Sequence, residues 1–389
     1  MAEAGKMKFD IAIIGAGPGG IATVLGLKDF IKENPGSVVL IDKAIFPRDK
    51  ICGDAVPYWA FRDLDLVHPG IHDRVKEVLK PGIFTRTRLQ ANSGRSLTIN
   101  WTGHGYMIPR YELDNFLMQE VKKLEGLTIL EDTPIRRVVK TEVGFSLRGP
   151  DREEVLQANF IIGSDGAPST VAKSLRPGFQ KRAQSGSAIR GYFENLKIQD
   201  PTTSLIYYQR KFAPGYFWLF PMSESKANVG FGMGNRWRRK KNINLTDAFW
   251  KFVKEEPEVS KILSEAQLVG SLKGGILPFS KGIESVIGKG YALVGDAANL
   301  NDPFSGDGIQ NAVYSGILLG DCLKQAYPFD DLLSLELTSY QQKLAAKLHR
   351  SLKFKSRLVR LSSRLPFLVD LVIRFGNQKW VMDWIKKWI

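Results

Sequence analysis

Residues 15–20 read Gly-Ala-Gly-Pro-Gly-Gly directly after an apolar run, and Asp42 closes the next apolar run, residues 38–41. In that spacing Gly15 permits a tight turn, Gly17 lets the backbone approach a phosphate, and Gly20 allows a helix to touch the strand before it. A helix opening at the loop offers free N–H groups and a positive dipole end to a pyrophosphate. Asp42 is then placed to accept hydrogen bonds from a ribose. This constellation serves NAD and FAD alike; a second stretch separates them. Residues 292–302 (ALVGDAANLND), followed by Pro303 and Gly306-Asp307-Gly308-Ile309, pair a strand-terminal acid with another glycine turn that opens a helix. Asp296 can hold the hydroxyls of a ribityl chain. The helix N-terminus at Gly308 can stabilise negative charge on a reduced isoalloxazine. Asp165-Gly166 marks a third strand end and suits a tight turn. Each of these, taken singly, is also an ordinary turn; their combination points to FAD.

The elements that must position these residues follow from hydrophobic periodicity. Residues 8–14 predict a buried strand, with a helix from the glycine loop to about residue 30 and a second strand at 38–41. A helix is expected at 110–124, a strand at 127–130, and another at 160–163 leading into Asp165. From 183 to 233 the pattern becomes long alternating strands rich in aromatics, as in an antiparallel sheet. A helix at 246–264 precedes a return to a buried strand at 291–294 and the helix opening near Gly308. The expected fold is therefore α/β: a Rossmann-like FAD-binding domain interleaved with an antiparallel β-sheet substrate domain, plus a C-terminal helical segment. Residues 1–75, 101–175 and 286–330 are assigned to the first domain. Residues 76–100 and 176–285 go to the second, and 331–389 form a basic amphipathic helical region.

The bulk numbers bound the partners. A chain of 389 residues with 43% hydrophobic and 24% charged content is an ordinary globular protein. No stretch reaches 18 uninterrupted apolar residues, so a spanning helix is not expected. The net charge is +15, and residues 343–389 hold twelve Lys/Arg against Asp370 and Asp383, which makes that segment +10. A further basic run comprises Arg236, Arg238, Arg239, Lys240 and Lys241. No nucleic-acid module accompanies the charge, so nucleic acid is not expected as a partner. Cys52 and Cys322, far apart, fit a reducing, cytoplasmic setting. Four histidines without ligand-like spacing give no metal site.

Together the three signatures resemble the flavoprotein monooxygenase-type superfamily with the hydroxybenzoate-hydroxylase fold. Within it the chain is most similar to the geranylgeranyl reductase family, over roughly residues 8–325. The residues that carry the resemblance are Gly15–Gly20, Cys52-Gly53, Arg110 within 109–114 (PRYELD), Asp165-Gly166, and Gly295-Asp296 through Gly308-Ile309. The most family-specific piece is 215–221 (GYFWLFP), similar to the family's Y-x-W-x-F-P signature. The resemblance implies FAD contacts from Ala16, Asp42, Cys52, Gly53, Arg110, Ile135, Asp296, Gly308 and Ile309. It also implies that Tyr216, Trp218 and Phe220, on one face of a strand, line a substrate cavity, with Phe217 and Leu219 on the other face. A plain sheet core fits the same alternation. Tyr207, Tyr208 and Phe212 add aromatic surface of the same kind, and an apolar aromatic channel suits a long hydrocarbon or an aromatic ring. The family's CG motif is often followed by more glycine. Here it continues Asp54-Ala55-Val56-Pro57, which alters the loop beside the flavin.

The resemblance implies a reductase delivering hydride from reduced flavin to double bonds of an isoprenoid or other lipid-like substrate. The alternative is an aromatic hydroxylase or halogenase using oxygen. Halogenases carry W-x-W-x-I-P where this chain has Tyr216 and Phe220-Pro221. A third class, a flavin-bearing electron carrier, fits an aromatic cavity less well. One dinucleotide loop means that NAD(P)H or a reduced redox protein would act as a transient donor. Cys52 is a candidate proton donor by position, against the alternative of an inert thiol beside the cofactor. At the C-terminus Trp380, Val381, Trp384, Ile385, Trp388 and Ile389 recur at helical spacing opposite Lys379, Asp383, Lys386 and Lys387. That pattern fits peripheral contact with an anionic membrane on its inner face, and equally a helix packed on the protein's own body.

Overall fold

The computed structural model describes residues 7–91, 93–180, 184–329, 331–376, 378 and 381. Apolar runs with no polar face become strands buried on both sides. Lys8–Ile14 lies between Val38–Ile41 and Glu154–Gly163, parallel to both. Thr128–Leu130 extends this sheet on one side and Tyr291–Leu293 on the other. Ile287–Gly288 closes the edge, and a hairpin of Arg137–Thr141 and Gly144–Arg148 pairs onto Glu154–Gly163. The register decides where the site falls: Ile14 is level with both Ile41 and Gly163, and Leu293 is level with Gly163. Four strands thus end on one line, so Gly15, Asp42, Ser164 and Val294 emerge along one carboxyl edge, where parallel α/β sheets bind ligands.

The second sheet runs in the order Gln267–Phe279, Gln184–Glu194, Lys226–Gly234, Tyr216–Pro221, Thr203–Tyr207, Gly82–Gln90, Ser96–Met107, Ala55–Val56. All pairs are antiparallel except Thr203–Tyr207 with Gly82–Gln90. Period-two alternation divides its faces. Phe217, Leu219, Val229, Phe231 and Phe193 are buried with Phe249 and Phe252 of the helix Leu245–Glu255. Trp218, Phe220 and Arg190 of this sheet line the cavity that also touches Gly17 and Gly308.

Three sequence expectations need correction. The boundary at residue 101 cuts a strand, because Ser96–Met107 stays paired from Gln90↔Ser96 to Gly82↔Met107. Ala55–Val56, assigned to the FAD-binding domain, pairs with Tyr106 and Met107 at the edge of the second sheet. The helix expected over 246–264 is two, Leu245–Glu255 and Pro257–Ile262. Pro257 has no N–H to continue the first helix and drives Glu256 out of helical geometry (φ −88°, ψ 110°).

Beyond Tyr291–Leu293 come the helix Ile309–Gln325, a 27-residue helix Thr338–Arg364, and Phe367–Phe375. Of the C-terminal tryptophan–lysine stripe, only Val381 is among the described residues. It is buried with Leu97, Ile99 and Ile373 against the second sheet.

Candidate functional site

The glycine loop is shaped by contacts that forbid side chains. Gly15 adopts φ +102°, and a Cβ there would meet the Ser164 carbonyl oxygen at 2.4 Å. A Cβ on Gly20 would meet the Gly15 oxygen at 2.0 Å. The Cβ position of Gly17 is open, with Arg48 Nη2 at 3.7 Å as the nearest atom. No side chain caps the helix Pro18–Gly26, so its amino end faces the cavity uncapped. Asp42 Oδ2 accepts from the Ala16 N–H at 2.9 Å and Oδ1 from the Ala44 N–H at 3.0 Å, so the carboxylate braces the loop.

A cavity of about 750 Å³ opens from this edge. Its wall includes Gly17, Cys52, Gly53, Arg110, Asp296, Gly308 and Ile309 from the expected cofactor set, and Tyr216, Trp218 and Phe220 from the expected substrate set. Gly15, Ala16, Gly20 and Asp42 stand behind that wall as its support. Ile135 is buried in the first core. It follows Thr133, whose N–H bonds the Asp42 carbonyl at 2.9 Å. Among the described residues no cluster of His, Cys, Asp and Glu is arranged to hold a metal ion.

Several charges are already paired. Arg110 is buried and bonded through Nε and Nη2 to Asp114, each at 2.7 Å. Arg48 bridges Asp114 at 3.1 Å and Asp42 at 3.5 Å. Asp296 accepts from Lys50 Nζ at 3.1 Å and from Asn301 Nδ2 at 2.8 Å. Asp165 caps the helix Thr170–Leu175, bonding Ser169 Oγ and the Thr170 N–H, each at 2.5 Å. Lys355 of the long helix reaches Asp302 at 2.5 Å, tying the second glycine turn to the C-terminal helices.

The aromatic wall depends on missing side chains. Tyr216 pairs with Gly232 and Trp218 with Gly230. A Cβ on Gly230 would lie 2.1 Å from Trp218 Cζ2, so glycine alone lets the indole lie flat on the sheet. The Tyr216 and Phe220 ring centroids stand 6.0 and 6.1 Å from that of Trp218. Tyr208 also lines the cavity. Tyr207 and Phe212, expected to do so, belong instead to the core beneath the sheet, Tyr207 from the strand Thr203–Tyr207 and Phe212 from the turn that follows it.

Sequence reasoning missed a group of residues joining the two sets. Asn228 accepts from Trp218 Nε1 at 2.9 Å and donates through Nδ2 to the Cys52 carbonyl and to Asp54 Oδ2, both at 2.9 Å. Tyr192 Oη donates to the same Asp54 oxygen at 2.6 Å. Arg190 is held by Asp49 at 2.7 Å and stacks over the Tyr192 ring at 4.2 Å. The signal available was the alternation of residues 228–234 (NVGFGMG), with glycine at every second position after Asn228. Burial pushes the Cys52 thiol up, which favours its protonated form.

The residues present fit FAD. An uncapped helix end, an open Gly17 face, and Asp42 and Asp296 after two of the strands stand on one edge, with a continuous cavity beyond. Residues 185–271 match the family model for the geranylgeranyl reductase catalytic domain. The chain is 26% identical over 330 residues to the menaquinone reductase of Mycobacterium tuberculosis, covering 81% of this chain and 76% of that one. It is 28% identical to digeranylgeranylglycerophospholipid reductase 1 of Methanococcoides burtonii, covering 87% and 80%. In fold it is similar to a geranylgeranyl bacteriochlorophyll reductase-like protein of Thermoplasma acidophilum, with TM-score 0.79, 23% identity, and 96% and 93% of the two chains covered. A flavin-dependent brominase shares the fold at TM-score 0.71, 19% identity, and 94% and 92% covered.

Proposed function

We propose that this chain, a flavoprotein of the geranylgeranyl reductase type, reduces carbon–carbon double bonds of an isoprenoid or similar lipid with FAD. The observation that carries the reading is the continuity of one cavity. The same space is bounded by the cofactor edge (Gly17, Asp296, Gly308) and by an apolar wall (Leu89, Ile99, Trp218, Phe220, Val369, Ile373). A hydrocarbon chain needs such a wall along its length and a short stretch against the reacting group.

FAD, bound and reduced, supplies the hydride. The protein does the remainder. Gly17 and the amino end of Pro18–Gly26 hold the pyrophosphate, Asp42 the adenosine ribose, and Asp296 the ribityl hydroxyls. The Gly308 helix end balances negative charge. Trp218 and Phe220 orient the lipid, and the cavity's apolar lining excludes water from it. NAD(P)H or a reduced redox protein docks transiently, since one dinucleotide loop is taken by FAD.

Lipid access suits a peripheral position on an anionic membrane. No helix among the described residues is long and apolar enough to cross one. The helix Phe367–Phe375 exposes Phe367, Leu371, Val372 and Phe375 beside Arg374, while Val369 and Ile373 of the same helix line the cavity. One short helix thus touches both the lipid route and the surface.

The test is to reduce the bound flavin without air and then offer acceptors. Reoxidation by a polyprenyl lipid, with product two mass units heavier per bond, supports the reading. Rapid turnover only with oxygen and a halide or an aromatic ring would move the protein to the oxygen-using class.

A further inference from the structure

A second cleft, of about 1100 Å³, opens beside the apolar cavity and is lined by cations. Arg236, Arg239 and Lys240 come from the short helix Asn235–Lys240, with Lys241 just after it. Across the cleft stand Arg360 and Arg364, from the last turns of Thr338–Arg364. Lys281, on the loop after Gln267–Phe279, joins them. Among the described residues, no Asp or Glu lines this space. None of Arg236, Arg239, Lys240, Arg360 and Arg364 forms an ion pair with another described residue. Like charges gathered from three parts of the chain repel one another, and an anion between them removes that cost.

The cleft and the apolar cavity share a wall. Gln184, Ser185 and Trp237 line both spaces. With its oxygen turned toward Arg360, the Gln184 amide accepts from Nε at 2.8 Å and from Nη2 at 3.2 Å, which fixes that guanidinium at the junction. Lys241 Nζ donates to the Lys211 and Ala213 carbonyls at 2.8 and 3.3 Å, anchoring the basic helix to the turn before Tyr216. The long helix makes the same division along its length. Val359 and Ser362 line the apolar cavity, whereas Arg360, Ser363 and Arg364 line the cleft. A molecule that spans both spaces needs a hydrocarbon end and an anionic end. Guanidiniums match phosphate oxygens two at a time, which carboxylate-free clusters of arginine favour.

We propose that this cleft is the headgroup site of the substrate: it binds the phosphate or diphosphate of an anionic isoprenoid lipid whose hydrocarbon chain lies in the adjoining cavity. This rests on the reductase reading above and narrows its substrate class. A neutral head, such as an alcohol or a quinone, leaves the cations unanswered. A dinucleotide donor also carries phosphates, but it has no hydrocarbon to lay along the shared wall.

The experiment compares geranylgeranyl diphosphate with geranylgeraniol on the FAD-loaded protein, by tryptophan fluorescence and by turnover. The variants are Arg236→Gln/Arg239→Gln on one side of the cleft and Arg360→Gln/Arg364→Gln on the other. All four side chains are exposed, so FAD absorbance and thermal unfolding should be retained. Wild type should prefer the diphosphate by about 10-fold or more, and each double substitution should erase most of that preference while leaving alcohol affinity unchanged. Inorganic pyrophosphate should compete with the diphosphate lipid and not with the alcohol. Turnover should change through KM, with kcat retained. Equal affinity for the two lipids in wild type, or parallel loss of both in the variants, overturns the proposal. A rise in KM for NADPH and not for NADH, with lipid affinity unchanged, assigns the cleft to the donor and also overturns it. So does weaker sedimentation with anionic vesicles at unchanged diphosphate affinity, which marks the charge as membrane contact. If the diphosphate lipid binds in the expected pattern but never reoxidises the flavin, the reductase reading fails and the anion site stands.

Discussion

At the scale of single residues, absence of a side chain and absence of a charge partner matter most. Gly15→Ala would drive a methyl into the Ser164 carbonyl from a backbone angle that L residues avoid. Purified Gly15→Ala should emerge colourless and bind added FAD at least 10-fold more weakly, as read by flavin fluorescence quenching. Asp54 also makes a signed stability statement. Its folded pKa, raised by burial to about 6 from an ordinary 3.8, means that the native state keeps the proton longer than the unfolded chain. Stability is therefore favoured below the ordinary value and lost as pH rises through about 6. Denaturant titrations from pH 4 to 7.5 should show wild type losing on the order of 1–3 kcal/mol relative to Asp54→Asn. A difference that does not change with pH would contradict the burial argument.

At the scale of elements, Glu120 joins three helices. From Arg110–Lys122 it reaches His68, just after Tyr58–Val67, at 2.9 Å, Arg74 of Ile71–Leu79 at 2.8 Å, and Lys123 at 2.5 Å. Burial pushes its pKa up, but the Lys123, His68 and Arg74 bonds outweigh burial and hold the carboxyl at about 2. Its contribution is present above the ordinary glutamate range and is lost as pH falls toward 2. Glu120→Gln should cost about 1–3 kcal/mol at pH 7, with the gap closing in acid, by thermal unfolding. On the substrate sheet, Asn228→Ala should lower lipid reduction about 10–100-fold, because it frees both Trp218 and the Cys52–Asp54 loop. The first sheet was legible because its strands are continuous apolar runs ending in Gly, Asp or Ser. The aromatic face was legible because alternation over 216–220 is local. Asn228, Tyr192 and Asp54 were not, since strand register, set by turns and pairing far apart in the chain, brings them together. Pro257 marks the break in 246–264, where the apolar spacing on both sides suggests one continuous helix.

At the scale of the whole molecule, the chain threads both sheets repeatedly. The segment after Asp42 supplies the Cys52–Asp54 loop and then an edge strand of the substrate sheet before the chain returns to the first unit. The surface bearing Phe367, Leu371 and Phe375 joins this assembly through Ile373, which packs with Leu97 and Ile99. Replacing those three exposed residues by serine should reduce sedimentation with anionic vesicles at least several-fold while leaving FAD binding intact. Unchanged sedimentation would detach lipid access from that helix. The glycines at 230, 232 and 234 leave the space that Trp218, Ala188 and Trp237 fill. A methyl at Gly230 would strike the Trp218 indole and one at Gly232 would press on the Ala188 methyl, so added bulk there moves the wall itself. Variants graded from alanine to valine at Gly232 would turn this protein into a set of molecular calipers, each admitting lipids of a different girth.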